Sequence, residues 1–529
     1  MIKRIVIIGG GTSGWLTTLN FLNHTDNPQI INISSKEIPI NGVGESTTGA
    51  IVDLLRSDRN IKINEIDFLK NTNSTFKYGV WHKDWHKKGE SFISPLGDEF
   101  LNNSGHPSED YDYYRIYHVA KNNMPYQQTQ AQLIKHNKLA YLNVPDNDPY
   151  KCEFNTTSGD VDFSFHPPHN HTSYHIDSIK VGYYLKRQVL NNKRVKHYDD
   201  LVVKAEKDEN GYVKKLLLKS GRVVEGDLFV DCTGFFRLLI GDDNEFIDWS
   251  NSLLTNRAIA FPTKDYTITN YTTAQARKYG WEWNIPLQNR MGRGYVFNDN
   301  MLSVDKAIEE MREIHGEIEV VNDVSFKPGR MKNAWYKNVI STGLSTGFVE
   351  PLEATAIHMT IIQINIFLKS YYSDHMDLTK SCQHKNYNRT IGETWDDIRD
   401  FIVTHYINTR QDTDFWRESS SKDRWSERLT DLMEIWSTRM PRMEDYSTGN
   451  MKFYTLGNTL WYQVLIGMKI LNPQVAKNEL KSYKLYDDTA RHLSERTKFN
   501  NHVVKLGYDT EEFYKKELHN LYDYKKVTL

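Results

Sequence analysis

The first 35 residues change their hydrophobic period twice. Residues 5–8 form a short apolar run, residues 15–23 carry apolar side chains at helical spacing, and residues 30–33 form a second apolar run. A strand, a helix and a second strand in this order are typical of a βαβ unit in a parallel sheet. The pattern therefore predicts an α/β fold from the start of the chain.

The middle of the chain is less regular. Residues 90–175 have little periodicity and are rich in Asn, Asp, His, Pro and Tyr, which predicts an insertion of loops and short strands. Regular patterns return with a helix around Lys180–Leu190, and residues 255–330 are predicted to form a mixed sheet. Between these regions the pattern predicts strands at Asp200–Lys204, Val213–Lys219 and Leu228–Val230.

Helical periodicity dominates the last third of the chain. It predicts helices at Ile357–Lys369, Tyr387–Tyr406, Trp425–Ser437 and Leu460–Leu471. We therefore expect two lobes, residues 1–355 and residues 356–529. No low-complexity tract or hinge linker separates them, so the helical lobe is expected to pack directly on the first.

Composition narrows the class of protein. With 529 residues the chain is too long for one ordinary core, and its formal charge of −2 gives no reason to expect a nucleic-acid or membrane partner. The three cysteines are odd in number and far apart, which fits a reducing compartment. No apolar run approaches the roughly 20 residues of a membrane span. These features predict a cytoplasmic protein.

The Asn-, Lys-, Tyr- and Ile-rich composition is typical of an AT-rich genome such as that of a virus, in which case the location is the host cytoplasm.

One histidine cluster could suggest a metal. His166, His169 and His171 lie in a proline-containing stretch, with His175 shortly after it. No cysteine or acidic cluster accompanies them, so we predict no metal site.

A glycine-rich loop follows the first predicted strand. Residues 9–14 read Gly-Gly-Gly-Thr-Ser-Gly, a G-x-G-x-x-G between a strand and a helix. In this context the glycines permit a tight turn and close approach of a pyrophosphate, which the helix N-terminus then binds. The predicted dinucleotide contacts are Gly9, Gly11, Thr12, Ser13 and Gly14.

Two further features bear on this nucleotide. The second strand ends at Ser34 where an acidic residue usually holds the ribose, so the serine hydroxyl is predicted to replace it. A later strand ends in Asp231-Cys232-Thr233-Gly234, which predicts contacts from Asp231 and Gly234. The chain has no second G-x-G-x-x-G, so we expect one nucleotide and no nicotinamide site.

Several segments are similar to those of one enzyme family. The strongest is Gly280–Pro286, which contains a W-x-W-x-I-P signature and is followed by Gly-Arg-Gly-Tyr-Val at 292–296. Companion segments occur in matching order at 42–46, 73–77, 348–355, 399–406 and 410–417. Along almost its whole length, the chain thus resembles the flavin-dependent tryptophan-halogenase family.

The resemblance implies a fold and a cofactor. It implies a Rossmann-like FAD-binding lobe of the aromatic-hydroxylase type with a mixed sheet, and a mainly helical C-terminal lobe that closes over the substrate. It also adds Gly44, Glu45, Val203 and Gly347 to the residues expected to bind FAD.

The resemblance also assigns the chemistry. Lys77 closes the N-x-x-[FY]-K segment Asn73–Lys77 and matches the catalytic lysine, and Glu353 matches the active-site glutamate expected to face it. Thr355 and the backbone N–H of Ala356 match the halide site. Reduced flavin and O2 oxidise halide to hypohalous acid, which an ammonium group can polarise or an amine can carry as a haloamine. The glutamate tunes the charge of the lysine and stabilises the cationic intermediate of aromatic substitution.

The predicted substrate region departs from the family. Members specific for tryptophan place a histidine and a phenylalanine where this chain has Ser-Pro-Leu-Gly at 94–97, so Leu96 stands where an aromatic plate would be. Trp461 and Tyr462 keep part of an aromatic pair. A site without stacking plates predicts an electron-rich arene other than free tryptophan. Trp281 and Trp283 are predicted to wall the tunnel to this site, and plain core packing is the alternative.

The halide site departs as well. Ala354 and Ala356 stand where the family often has serine and glycine. Because bromide and iodide are easier to oxidise than chloride, we hypothesise that turnover with the heavier halides is at least as good as with chloride.

The predicted activity is FADH2- and O2-dependent halogenation of an aromatic or heteroaromatic small molecule. Without a nicotinamide site, the enzyme needs a separate flavin reductase. The alternatives are a flavin monooxygenase that hydroxylates, against which Lys77 and the W-x-W segment argue, and a flavin-binding protein without activity, against which Lys77 and Glu353 argue. Whether copies of the chain form a homo-oligomer is left open.

Overall fold

The computed structural model describes residues 1–38, 45–57, 59–96, 113–122, 129–140, 172–446 and 457–520. By packing, the chain divides into two compact units, each assembled from three stretches. Unit 1 comprises Met1–Ser74, Ile176–Ser250 and Phe326–Asp396, and unit 2 comprises Thr75–His175, Asn251–Ser325 and Asp397–Leu529. The predicted lobe boundary at residue 355 stays a prediction.

The strands in chain order are β1 Arg4–Ile8, β2 Gln29–Ser34, β3 Glu45–Ser46, β4 Thr75–Lys77, β5 Gly79–Lys83, β6 Ser91–Pro95, β7 Lys138–Leu139, β8 Ser173–Ile176, β9 Val195–Asp199, β10 Val202–Lys207, β11 Val213–Leu218, β12 Val223–Glu225, β13 Leu228–Asp231, β14 Phe246–Asp248, β15 Arg257–Ala260, β16 Tyr271–Ala276, β17 Gly280–Pro286, β18 Met291–Phe297, β19 Asn322–Ser325, β20 Gly329–Met331, β21 Trp335–Tyr336, β22 Val339–Ser341, β23 Gly347–Phe348 and β24 Tyr508–Asp509.

The helices are α1 Thr12–His24, α2 Gly49–Arg56, α3 Glu65–Thr72, α4 Tyr113–Ala120, α5 Thr129–Lys135, α6 Ser178–Leu190, α7 Val304–His315, α8 Thr355–Ser370, α9 Ser381–Thr404, α10 Asp414–Ser419, α11 Glu427–Thr438, α12 Gly457–Gly467, α13 Pro473–Ser482, α14 Tyr486–Leu506, α15 Thr510–Glu512 and α16 Leu518–Asn520, with a π-helical turn at Phe513–Glu517. Among the helices within the described residues, none is both long and apolar enough to cross a membrane.

A six-stranded sheet forms the centre of unit 1. Its strand order is β21-β22-β13-β1-β2-β9, with parallel neighbours from β22 to β9. Residues 5–8 of β1 are buried, as expected for a central parallel strand covered on both faces, and α1 packs against α6 and α8. The predicted βαβ opening and the strand at 228–230 are confirmed. The carboxyl ends of β1, β2 and β13 meet at one edge, where α/β sheets bind nucleotides.

A mixed sheet forms the centre of unit 2. Its order is β19-β15-β18-β17-β16-β5-β6, and all neighbours are antiparallel except β16 and β5. The mixed sheet predicted at residues 255–330 is confirmed. Helix α7 packs on β18, and its Met311 joins the buried cluster that contains Ile259, Tyr295 and Phe297.

The predicted insertion at 90–175 differs from the structure in one respect. The part described contains two helices, α4 and α5, where only loops and short strands were predicted. Six of the eight residues of α4 are buried, including the five consecutive residues 115–119. Because polar residue types such as Arg115 and His118 are among the buried ones, the sequence carries no helical period here.

The C-terminal helices are confirmed, with shifted ends. Helix α9 begins six residues before its predicted start, and α12 ends at Gly467 although the apolar pattern runs to Leu471. Lys469 adopts a left-handed conformation (φ 55°), and the N–H of Ile470 donates to the carbonyl of Leu465 at 2.9 Å. This six-to-one bond is a Schellman-type helix end, which apolar periodicity does not reveal.

Candidate active site

The loop after β1 has the geometry of a pyrophosphate cradle. Gly9 has φ +137°, and a Cβ there would lie 2.3 Å from the carbonyl oxygen of Cys232. A Cβ on Gly14 would lie 2.1 Å from the carbonyl oxygen of Gly9. In contrast, among the described residues no atom would lie within 4 Å of a Cβ on Gly11, and no side chain caps the helix that begins at Thr12. Open space in front of a bare helix N-terminus fits a phosphate group.

Ser34 stands beside this loop, at the end of β2. Its Cβ lies 2.5 Å from the position that a Cβ on Gly10 would take, and its hydroxyl lies 2.9 Å from Nε2 of His197. Burial, helped by the charge of Lys186, lowers the pKa of His197 to about 4, so this ring is neutral at pH 7. Asp199, which ends β9 in register with Ser34, is a nearby carboxylate that the sequence analysis missed. The sequence analysis predicts no strand at residues 195–199, so the place of Asp199 at a strand end emerges only from the structure.

Asp231 organises the turn that follows β13. Its buried carboxylate accepts hydrogen bonds from the backbone N–H and hydroxyl of Thr233, at 2.9 and 2.7 Å, and from Ser345 at 3.1 Å. Its second oxygen accepts from the N–H groups of residues 239 and 240, at 2.7 and 3.0 Å. The carboxylate therefore fixes the turn in which Gly234 has φ +66°. None of the residues that the structure describes lies within 4 Å of a Cβ at this position.

The remaining predicted FAD residues occupy varied environments. Gly44 lies outside the described residues. Glu45 is the next residue, and burial raises the pKa of its carboxyl to about 7. Val203 is 52% exposed and sits where the register between β10 and β11 shifts. Gly347 lies in β23, where a Cβ would come within 3.0 Å of Cβ of Arg330.

Glu353, Thr355 and Ala356 lie at the start of α8. A 3₁₀ turn at Pro351–Glu353 leads into Ala354, whose φ of 58° is left-handed, and α8 begins at the next residue without a side-chain cap. Glu353 and Thr355 are buried. A buried helix N-terminus of this kind favours an anion.

A hydroxyl link joins this helix to the glycine-rich loop within unit 1. Thr360 donates to the carbonyl of Ala356 at 2.9 Å, so its oxygen accepts the hydrogen of Ser13 at 3.1 Å. Predicted phosphate and halide residues are thereby joined through Thr360. Thr360 carries no signal in the sequence beyond its spacing of four residues from Ala356.

Lys77 ends the short strand β4 in unit 2. Only 1% of its surface is exposed, and β4 pairs antiparallel with β8 so that Lys77 lies opposite Ser173. Lysines are rarely buried unless paired or functional. Leu96 lies close to this segment, because its N–H donates to the carbonyl of Tyr78 at 2.8 Å.

The two tryptophans of the W-x-W segment share one face of β17. Trp281 and Trp283 are buried, and their rings lie 6.3 Å apart. Trp283 lies opposite Gly294 of β18, where a Cβ would fall 2.0 Å from the indole ring. Glycine at 294 therefore makes room for Trp283. Within the described residues, neither indole N–H has a hydrogen-bond acceptor.

Glu282, between the two tryptophans, is fully buried on the opposite face. It contacts Arg277, Arg293 at 3.3 Å and His315 at 2.9 Å. Burial alone would raise the pKa of Glu282, but His315 and Arg277 outweigh it and lower the pKa. The residue between the tryptophans is thus a buried ion-pair centre that anchors β17.

Trp461 and Tyr462 are fully buried in α12. The Tyr462 hydroxyl donates to the carbonyl of Pro441 at 3.0 Å. In unit 2 a row of neighbouring rings runs from Trp461 through Phe401, His405 and Trp85 to Trp281. The centroids of successive rings lie 4.9 to 6.1 Å apart. The structure thus brings predicted tunnel residues into one aromatic cluster. Trp85 is marked only by its packing, whereas His405 lies in the companion segment 399–406 without having been assigned a place in the tunnel.

The histidine cluster can be placed only in part. His166, His169 and His171 lie outside the described residues. Both ring nitrogens of His175 are within hydrogen-bond distance of threonine hydroxyls, at 2.9 and 3.0 Å.

Comparison with known proteins identifies the family. The tryptophan halogenase family model matches residues 4–482. The chain is 31% identical over 463 residues to tryptophan 6-halogenase ThaL of Streptomyces albogriseolus, covering 83% of each chain. It is 28% identical over 500 residues to tryptophan 7-halogenase RebH of Lentzea aerocolonigenes, covering 89% of this chain and 90% of that one.

Solved structures agree in fold. A flavin-dependent halogenase from Xanthomonas campestris superposes with a TM-score of 0.82 at 26% identity, covering 98% of each chain. BrvH, a flavin-dependent halogenase from Brevundimonas sp. BAL3, gives a TM-score of 0.79 at 27% identity, covering 98% of this chain and 99% of that one. The predicted α/β FAD-binding fold class is confirmed, and the chain belongs to the tryptophan-halogenase family of flavin-dependent halogenases.

Proposed function

We propose that this enzyme halogenates an aromatic or heteroaromatic small molecule other than free tryptophan, through hypohalous acid held at Lys77. The observation that carries the proposal is the burial of Lys77, which is 1% exposed at the end of a three-residue strand. A lysine removed from water can polarise or trap a small neutral oxidant without competition from solvent.

The proposed FAD residues are Gly9, Gly11, Thr12, Ser13, Gly14, Ser34, Gly44, Glu45, Val203, Asp231, Gly234 and Gly347. The open space at Gly11 and the uncapped start of α1 fit the pyrophosphate. Flavin-dependent halogenases use FADH2, O2 and halide, and they generally depend on a separate flavin reductase. Reduced FAD and O2, with a halide ion and a proton, supply hypohalous acid while FAD and water are released.

Thr355 and the N–H of Ala356 are proposed to bind the halide. The left-handed Ala354 turns the chain so that the first N–H groups of α8 are left without a side-chain cap, which suits an anion. The methyl group of Ala356 borders this position. Bromide and iodide are expected to be turned over at least as well as chloride.

Lys77 is proposed to direct the halogen. Its ammonium can hydrogen-bond hypohalous acid, and its amine can form a haloamine. By either route hypohalous acid and the arene give the halogenated arene and one water molecule, and the ring proton replaces the proton that the lysine side chain supplied. Glu353 is proposed to tune the charge of Lys77 and to stabilise the cationic arene intermediate. Trp281 and Trp283 are proposed to wall the path of the oxidant, and the lack of an acceptor for either indole N–H among the described residues supports this role.

The substrate proposal rests on the residues around Lys77. Leu96, next to the lysine segment, offers no ring for stacking, and Trp461 and Tyr462 lie buried in α12. Without aromatic plates a site loses the stacking that would select a free indole amino acid. We therefore propose a different electron-rich arene.

The test supplies enzyme, FAD, a flavin reductase, NADH and one halide at a time to a panel of arenes that includes indole and free tryptophan. Product masses should show a halide-dependent gain that Lys77→Ala abolishes, at least 100-fold, while FAD affinity is unchanged. Lys83→Ala, a lysine on β5 outside the proposed site, should keep the activity.

Three results would overturn parts of the proposal. A gain of one oxygen regardless of halide would mean hydroxylation. Bound flavin without any product would mean a binding protein. Strong chlorination with negligible bromination would contradict the halide preference alone.

A further inference from the structure

One face of strand β4 is fixed by a side chain far away in sequence. Thr75 lies directly opposite His175 in the β4–β8 pair. The hydroxyl oxygen of Thr75 lies 2.6 Å from the carbonyl oxygen of Pro286 and 2.9 Å from Nδ1 of His175. Thr75 and His175 are fully buried, so each polar atom needs a partner within the protein.

These distances decide the tautomer of His175. A carbonyl only accepts, so the single hydroxyl hydrogen of Thr75 goes to Pro286, and Nδ1 of His175 must carry the hydrogen that it donates to Thr75. Burial, helped by the charge of Lys77, lowers the pKa of His175 well below its ordinary value. The ring is therefore neutral, and its bare Nε2 accepts from the Thr272 hydroxyl at 3.0 Å.

The resulting chain of hydrogen bonds runs from Thr272 through His175 and Thr75 to Pro286, and we call it the His175 relay. It ties β16 and the last residue of the W-x-W strand to β4. Thr75 and Lys77 are two residues apart in a strand and so face the same side. Lys77 is also the diagonal neighbour of His175 across the strand pair, which places the relay beside the lysine.

We propose that His175 is a positioning residue for Lys77, which it holds in place through the directional hydrogen bonds of the relay. This inference rests on the proposed function of Lys77. The three side chains of the relay come from three strands, and each donates one hydrogen in a fixed direction. Loss of any member of the relay loosens the backbone at Thr75. The amino group of Lys77, two residues later, is then free to shift. Small displacements of a reacting group are costly.

The test separates positioning from folding. Thr272→Val removes a relay hydrogen bond at constant volume, and His175→Phe removes both ring hydrogen bonds with a somewhat larger ring. Thr272→Ser keeps the hydroxyl, and Thr404→Val is the control. Thr404 is equally buried in unit 2, but its hydroxyl donates only to the carbonyl of Asp400 in its own helix, at 2.8 Å.

Each variant receives indole, bromide, FAD, a flavin reductase, NADH and O2, together with a 1,3-diketone that captures free hypobromous acid. The measurement is the ratio of bromoindole to captured oxidant, per folded and FAD-loaded molecule. Thr272→Val and His175→Phe should lower this ratio about tenfold, because oxidant still forms but is no longer held. Thr272→Ser should stay within about twofold of the wild type, and Thr404→Val should alter stability alone.

An unchanged ratio in both Thr272→Val and His175→Phe would overturn the proposal, since the relay would then serve only folding. A second readout needs no turnover: nitrogen NMR of protein labelled at histidine should assign the hydrogen of His175 to Nδ1, and a hydrogen on Nε2 would overturn the relay. If the wild type yields neither product nor oxidant, the proposed function fails, and the NMR result still decides the relay.

Discussion

At the scale of single residues, Ala354 carries the most unusual backbone of the proposed halide site. Its φ of 58° lies in the left-handed region, which costs an alanine about 1–2 kcal/mol and a glycine almost nothing. Ala354 is also the N-cap residue of α8, and this helix has no side-chain cap. Such outliers persist where the surrounding structure holds them, and they cluster at functional sites.

Replacing Ala354 by glycine is expected to relieve this strain. The free energy of unfolding should rise by about 0.5–1 kcal/mol, after the larger entropy of an unfolded glycine is subtracted. Ala356→Gly, two residues later inside the helix, should instead lower it by about 0.5–1 kcal/mol. Urea denaturation followed by tryptophan fluorescence measures both. Equal effects of the two substitutions would show that Ala354 is not strained.

A residue's role can be predicted from the sequence when it depends on local geometry, and it cannot when it depends on partners far away in the chain. Gly9 and Gly14 were assigned because a tight turn beside a helix leaves no room for a side chain, which is a local requirement. Asp231 was assigned as a nucleotide contact, yet its carboxylate accepts five hydrogen bonds from its own turn and from Ser345. Only the fold reveals those partners, because Ser345 lies more than a hundred residues away.

At the scale of elements, the β17–β18 pair explains two motifs as one. The register sets Trp283 against Gly294, so the large ring fills the space that the glycine leaves. The W-x-W and Gly-Arg-Gly segments are therefore two sides of one packing arrangement. Glu282 binds Arg293 on the other face of the same pair, at 3.3 Å.

Gly294→Ala is expected to disturb this pair. The added methyl group would lie 2.0 Å from the indole of Trp283, so the ring must move, at a cost of about 1–3 kcal/mol in unfolding free energy. The melting temperature should fall and the near-ultraviolet circular dichroism of the tryptophans should change. Gly182→Ala in α6 is the control, because its methyl group meets only ordinary contact at 3.7 Å and should stabilise the helix. A melting temperature unaffected by Gly294→Ala would contradict this account of the pair.

At the scale of the whole molecule, one buried charge cluster is expected to link stability to pH. Asp397 and Asp400 share Arg428, whose nitrogens lie 2.5 and 3.0 Å from the two carboxylates. Both aspartates are buried. Burial raises the pKa of Asp397 to about 7, although Arg428 opposes the shift. The folded protein therefore binds a proton there that the unfolded chain releases near pH 4.

The sign of the pH effect follows from linkage. A carboxyl whose pKa is higher in the folded state contributes stability that is complete below about pH 4 and is lost as the pH rises through 7. The melting temperature of the wild type should thus fall between pH 5.5 and 8.5 more steeply than that of Asp397→Asn, which mimics the protonated carboxyl. Asp431→Asn, on the exposed face of the helix that carries Arg428, should follow the wild type. Parallel curves for the wild type and Asp397→Asn would refute the assignment.

The sequence by itself determined the βαβ opening, the glycine-rich loop and the burial of the strand at 228–230, because hydrophobic period and the need for glycine are local properties. It also determined the family, since motifs such as the W-x-W segment can be read directly from the order of the residues. Only the tertiary structure decided that Glu282 is a buried ion-pair centre, that Thr360 joins Ser13 to Ala356, and that His175 binds two threonines. These facts depend on which strands and helices become neighbours. A hydrogen bond between residues far apart in the sequence produces no repeating pattern of hydrophobic and polar positions.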